Sequence, residues 1–101
     1  MVGRLIFGRG RDEDLPDTGE IHAIYLLKEY WNRGFGRQML DFAFSEFWRT
    51  GYSDVFLWAF VDNVRGRRFY EKHGFVLDNK RMELEIDKPM TLVRYLRNLA
   101  N

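Results

Sequence analysis

Cysteine is absent from this 101-residue chain. Its absence excludes disulfides, thiolate metal sites and a cysteine nucleophile, and it fits a reducing compartment. An excess of one charge is also missing: 16 basic residues face 15 acidic ones, for a net charge of +1. Overall electrostatics therefore give no reason to expect nucleic acid or an anionic membrane as partner. No apolar run approaches the length of a transmembrane helix, and no signal-peptide pattern opens the chain, so a soluble, cytoplasmic protein is expected. Internal repeats and low-complexity segments are absent too. What is present is apolar surface. Hydrophobic residues make up 46% and aromatics 17%, which is enough to build a core for one domain over residues 1–101.

Periodicity and punctuation suggest the elements. Val2–Phe7 is short, apolar and β-branched, and Gly8 is expected to end it as a strand. Arg9–Gly19 is charged and contains Pro16 and two glycines, which marks a loop. Glu20–Leu26 reads as a second strand, with Ile21, Ala23 and Tyr25 on one face and Glu20, His22, Ile24 and Leu26 on the other. Gly36–Arg49 carries Met39, Leu40, Ala43, Phe44, Phe47 and Trp48 at helical spacing, with Gly51 just past its end. These apolar residues are expected in the core. Val55–Val61 is an unbroken apolar run, which suggests a strand buried on both faces. Asn63 is a good N-cap for a short helix to His73, with Gly74 at C′ and Lys72 and His73 favourably placed in the last turn. Arg81–Ile86 alternates as a strand. The last segment fits a helix through Leu92, Val93, Leu96 and Leu99, or a strand through Thr91, Val93 and Tyr95, with the strand preferred.

One loop carries chemistry. Asn32-Arg33-Gly34-Phe35-Gly36-Arg37 follows a strand and opens a helix. Gly34 and Gly36 permit close backbone approach and dihedrals closed to other residues. N–H groups at a helix start favour an anion, and Arg33 and Arg37 can add charge-assisted bonds to phosphate. The bland reading is a glycine turn with solvated arginines. The spacing is not that of a P-loop, since no Gly-Lys-Ser/Thr follows. Nor is it the dinucleotide fingerprint, because Met39 stands where the third glycine belongs.

About thirty residues on comes Asn63-Val64-Arg65-Gly66-Arg67-Arg68-Phe69-Tyr70-Glu71-Lys72-His73-Gly74-Phe75. The pattern Asn-x-x-small-x-x-Phe-Tyr-Glu-Lys-x-Gly-Phe resembles a signature of the GNAT superfamily of acetyl-CoA-dependent N-acetyltransferases. The stretch Glu20-Ile21-His22-Ala23-Ile24-Tyr25-Leu26, leading to Gly34-Phe35-Gly36, resembles the superfamily's other signature. Both stand in the family's order and separation, and the resemblance covers the chain from about Val2 to the end.

The resemblance implies an α/β (α+β) fold, with a mixed, mostly antiparallel sheet flanked by helices. It implies acetyl transfer from acetyl-CoA to a primary amine by direct attack in a ternary complex, with no metal. It also implies roles for residues. Ile24, Tyr25 and Leu26 would offer main-chain groups to the pantetheine arm, in the gap where their strand splays from the strand over Val55–Phe60. Asn32, Arg33, Gly34, Phe35, Gly36 and Arg37 would hold the pyrophosphate. Asn63 would bond the pantetheine side, and Tyr70 would protonate the leaving thiolate. Among Arg65, Arg67 and Arg68, Arg68 is the preferred contact to a CoA phosphate. The acceptor would be a small-molecule amine, a peptide N-terminus or a lysine.

The chain also departs from the family. Trp31 replaces the usual Gln or Arg that begins the phosphate motif. Trp58 stands where some bacterial members carry a general-base glutamate, and is expected in the core or in an acceptor wall. Glu20 matches the base of the histone-acetylating branch and is the candidate base, acting through water, with His22 as a second candidate that also has a structural reading. The strand, two helices and strand that normally open the domain are missing from this sequence. Either a second chain completes the fold as a homodimer, or the chain is a fragment, or it is a reduced, non-catalytic acyl-CoA-binding module.

Overall fold

The computed structural model describes residues 3–100. The elements run β1 (Gly3–Arg9), β2 (Gly19–Leu26), a 3-10 turn (Lys28–Tyr30), α1 (Phe35–Arg49), β3 (Asp54–Phe60), α2 (Val64–Lys72), β4 (Val76–Ile86) and β5 (Lys88–Asn98). The strands form one mixed sheet in the order β1-β2-β3-β5-β4. This is the expected α/β class, and the ambiguous last segment is a strand. Among the described residues no helix is long and apolar enough to cross a membrane. The chain divides into two compact units, residues 3–55 with 98–100, and Phe56–Arg97.

In the first unit β1 pairs antiparallel with β2. The start expected at Val2 lies outside the described residues. The expected stop at Gly8 does not occur, because Gly8 and Arg9 pair with Glu20 and Gly19. Sheet pairing overrides the local breaker. The register shifts between Ile6, opposite Ala23, and Phe7, opposite Ile21, so His22 is an extra residue in β2. This β-bulge breaks the expected alternation. Glu20 and Ile21 are both buried, while Ala23 and Tyr25 are exposed, so Ile21 does not share their environment.

Helix α1 contacts β1 and β2 and buries Leu40, Ala43 and Phe47. The Phe47 ring meets Phe7 edge-on at 5.2 Å. Gly19 makes room for it, since a Cβ there would lie 2.5 Å from the ring. Trp48 does not join this core; it is 57% exposed, because the buried stripe is narrower than the apolar stripe. The helix ends as expected at Gly51, whose φ is 99°. Tyr52 N–H donates to Phe47 O at 2.9 Å and Gly51 N–H to Trp48 O at 3.2 Å. The Phe47 and Tyr52 rings touch at 5.8 Å, the apolar contact that accompanies such a C-terminus.

The second unit repeats this device. Helix α2 ends at Gly74, φ 91°, with Phe75 N–H on Tyr70 O at 3.0 Å and the two rings 6.0 Å apart. Asn63 caps its start, accepting from Gly66 N–H at 3.1 Å. Strand β3 buries Phe56, Leu57 and Ala59 in this unit, so both faces are covered as expected. Val61 lies just beyond β3, with its N–H on Thr91 O at 2.9 Å.

Strand β4 is longer than the expected Arg81–Ile86 because Val76 and Leu77 also pair, with Leu96 and Tyr95. Between Leu77 and Arg81 it carries two residues more than β5 does between Tyr95 and Val93. Asn79 there has φ 69°. That irregular stretch hides the strand from a reading of alternation.

Candidate functional site

The first unit holds the phosphate-loop candidates. β2 does not run directly into α1, since the 3-10 turn Lys28–Tyr30 intervenes. Asn32 (φ 63°) and Gly34 (φ 83°) both take left-handed conformations. Gly34 is the N-cap of α1, and no side chain caps that end; the first turn contains no acidic residue. The first helical bond runs from Gln38 N–H to Gly34 O at 3.1 Å. The N–H groups of Phe35, Gly36 and Arg37 therefore stand at the helix start without intrahelical acceptors. Only Gly34 uses glycine's freedom of φ. Gly36 lies within the helix, contrary to the expectation for both. The Arg33 guanidinium sits over the Tyr30 ring at 5.7 Å, and Tyr30 meets Phe35 edge-on at 5.7 Å. Arg37 is 3.7 Å from Asp41, with both exposed, a pairing that stabilises little.

Trp31 has its own task. Its indole N–H donates to Leu26 O at 3.0 Å, pinning the start of the loop to the end of β2. One lone pair of the Leu26 carbonyl is thereby taken, which narrows what Leu26 can offer a ligand.

Glu20 is the candidate most altered by its surroundings. Its side chain is 2% exposed. Oε1 accepts from Arg11 N–H and Nε, each at 3.1 Å, and Oε2 from Nη2 at 2.9 Å. The Arg11 guanidinium is raised above its ordinary pKa, chiefly by the hydrogen bond to Glu20. His22 Nε2 lies 3.6 Å from Glu20 Oε1 and 3.2 Å from Arg9 O. Sequence reasoning missed Arg11. Its partner is nine residues away across a loop, and no local pattern marks such a pair.

The second unit holds Asn63, Arg68 and Tyr70. Asn63 spends Oδ1 on the helix cap, leaving its amide N–H groups as donors. Tyr70 is 9% exposed, between Phe75 and Tyr95. Among the described residues its hydroxyl has no hydrogen-bond partner. Burial raises its pKa, so the phenol is neutral through the physiological range, as a proton donor must be.

Of the three helix arginines it is Arg67 that turns inward. Its Nε donates to Tyr95 Oη at 2.9 Å and its Nη1 to Val61 O at 3.0 Å. Tyr95 Oη in turn donates to Glu71 Oε2 at 2.6 Å. Burial and the bond to Glu71 raise the Tyr95 pKa against the lowering effect of Arg67. Arg68 is exposed. Trp58 is half-buried, and the Arg94 guanidinium lies over it and over Phe56, at 5.7 and 5.8 Å. Arg94 is 3% exposed, and its Nε donates to Asp78 Oδ2 at 2.5 Å. The extra residues of β4 bring Asp78 to it. Neither the Arg67–Tyr95–Glu71 chain nor this buried pair had a signal in the sequence. Among the described residues no group of three or more His, Asp or Glu is placed to hold a metal.

Residues 2–75 match the model of the acetyltransferase (GNAT) family. The chain belongs to that family. It is 37% identical over 63 residues to an uncharacterized N-acetyltransferase of Bacillus subtilis, covering 62% of this chain and 36% of the relative. The chain thus spans about a third of that relative's length. The NatC complex bound to a Gag peptide and CoA has the same fold, with TM-score 0.81 and 17% identity over 96% of this chain and 60% of that one. So does a Bacillus anthracis protein solved with acetyl coenzyme A, with TM-score 0.81 and 19% identity over 96% of this chain and 55% of that one.

Proposed function

We propose that the chain binds acetyl-CoA and transfers the acetyl group to a primary amine by direct attack. The observation that carries this is the uncapped start of α1 in a member of this family. Helix α2 satisfies its own N-terminus through Asn63. Helix α1 has no side-chain cap and no acid in its first turn, follows a left-handed Gly34, and is flanked by Arg33 and Arg37. These features suit a pyrophosphate. The CoA and acetyl-CoA carried by the two structural neighbours support the choice of cosubstrate.

In this reading the backbone of Asn32–Arg37 holds the pyrophosphate. Main-chain groups of Ile24, Tyr25 and Leu26 and the Asn63 amide meet the pantetheine arm, and Arg68 meets a further phosphate. The enzyme aligns amine and thioester. Tyr70 gives its proton to the leaving thiolate. Glu20, held in place by Arg11, is the base and acts through water. The acceptor is an amine on a small molecule or peptide, and the setting is cytoplasmic. Isothermal titration with CoA tests the ligand: binding is expected, and none at millimolar CoA overturns the reading. Thiol release with a panel of amines tests the transfer.

A second reading has one observation in its favour. An open apolar groove of about 470 Å³ lies between β1 and α1, lined by Leu5, Phe7, Phe35, Met39 and Phe42. A chain that binds CoA without turnover, or that needs a second copy over this groove, would keep the ligand and lose or share the chemistry. Light scattering at several concentrations, paired with the thiol-release assay, separates these cases.

A further inference from the structure

We infer that the outer edge of β4 is an interface with a second copy of this chain, the two strands joining antiparallel about Glu83. This goes beyond the acetyl-transfer reading and does not depend on it. Three observations within the second unit carry it.

The first is the edge. In the order β1-β2-β3-β5-β4, β4 has a neighbour on one side only. An edge strand presents a row of N–H and C=O groups to any strand that fits, unless proline, bulges or a covering element blunt it. β4 is 11 residues long. Its irregular stretch ends at Arg81, and from there to Ile86 the register is unbroken. That run contains neither proline nor glycine.

The second is the pair of faces. Side chains alternate along a strand, so Met82 and Leu84 share one face and Arg81, Glu83 and Glu85 the other. Met82 and Leu84 stand opposite Leu92 and Met90 of β5. This makes an apolar face, yet Met82 and Leu84 are 37% and 36% exposed. On the polar face Arg81 stands opposite Val93 and Glu85 opposite Pro89, so β5 sets no charge directly across from either. Glu83 accepts from Thr91 Oγ1 at 2.7 Å.

The third is the register. Residues directly opposed in an antiparallel pair share a face. Pairing must therefore centre on a residue, because a one-residue slip turns Met82 and Leu84 toward charged partners. Centred on Met82, it runs into Asn79, whose φ of 69° breaks a regular strand. Centred on Leu84 or Glu85, it sets acid against acid, which is destabilising. Centred on Glu83, it sets Arg81 against the partner's Glu85 twice, and Met82 against the partner's Leu84 twice. Its one mismatch is Glu83 against the partner's Glu83, on the two-fold axis. Such an isologous contact closes at two copies.

Sedimentation equilibrium of the whole chain tests this. A monomer–dimer equilibrium is expected, and a chain that stays monomeric at its highest soluble concentration overturns the inference. Arg81→Glu should weaken the dimer roughly tenfold, because two attractive pairs become repulsive. Adding Glu85→Arg to that variant should restore the wild-type Kd. Glu83→Gln removes the mismatch while keeping an acceptor for Thr91, and should tighten the dimer by about threefold. A dimer that ignores all three changes uses another surface, such as the groove between β1 and α1, and also overturns the inference. If a variant does not fold, hydrogen exchange of the wild-type chain decides. Amide protection within residues 81–86 should rise with protein concentration, and protection independent of concentration overturns the self-pairing.

Discussion

The indole N–H of Trp31 donates to the carbonyl of Leu26 at 3.0 Å. The residue that breaks the family's phosphate motif is therefore a fastener between the end of β2 and the loop that follows. Trp31→Phe keeps an aromatic ring and removes the donor. The loss should cost about 1 kcal/mol, read as a fall in Tm of roughly 4–8 °C for a domain of this size. An unchanged Tm would show that the bond is not formed in solution.

Gly34 takes φ 83°, and a Cβ there would meet nothing within 4 Å. The cost of Gly34→Ala is then purely that of the backbone, about 1–2 kcal/mol. Urea unfolding should show this loss, and CoA titration should show weaker binding as the N–H groups at the start of α1 shift. Full stability together with full affinity would count against the left-handed turn.

Gly19 faces Phe47, and its added Cβ would lie 2.5 Å from the ring. That ring is fully buried and also packs on Phe7 and Tyr52, so it has little room to yield. Gly19→Ala should destabilise by roughly 1–3 kcal/mol through overpacking, measured by denaturant midpoint at unchanged slope.

Tyr70→Phe removes a hydroxyl that bonds nothing among the described residues. Stability and CoA affinity should hold, while kcat falls roughly 10²-fold. An unchanged kcat with the panel of amines would remove Tyr70 from the chemistry.

Tyr70 and Tyr95 both have pKa values raised above the ordinary 10.0. The unfolded chain therefore ionises first. Above about pH 10 it binds fewer protons than the folded chain, so stability falls with rising pH until the raised folded values are passed. Well below pH 10, where both states keep the phenol protons, these groups contribute no slope. Unfolding free energies between pH 9 and pH 11 should decline, and Tyr70→Phe should reduce the decline. For Tyr70 burial is the cause; for Tyr95 burial leads and the bond to Glu71 adds to it.

The sequence by itself determined the order of the main strands and helices and the points where the two helices stop. The cap at Asn63 and the helix ends at Gly51 and Gly74 depend on residues within one turn of each other. Such short-range chemistry is written locally. The paired signatures, Glu20–Gly36 and Asn63–Phe75, were legible for the same reason: each is a contiguous run. The tertiary structure decided the rest, because it depends on register and on partners far along the chain. The bulge at His22 exists only in the pairing of β2 with β1. The burial of Glu20 depends on Arg11 folding back across a loop. Asp78 reaches Arg94 only through the irregular stretch of β4. Trp48 is apolar and on the helical stripe, yet it faces solvent, because the width of the buried seam is set by what packs against it. At Asn32–Arg37 the sequence marked the loop. The structure showed which glycine bends it, and that the tryptophan before it holds the loop to the strand.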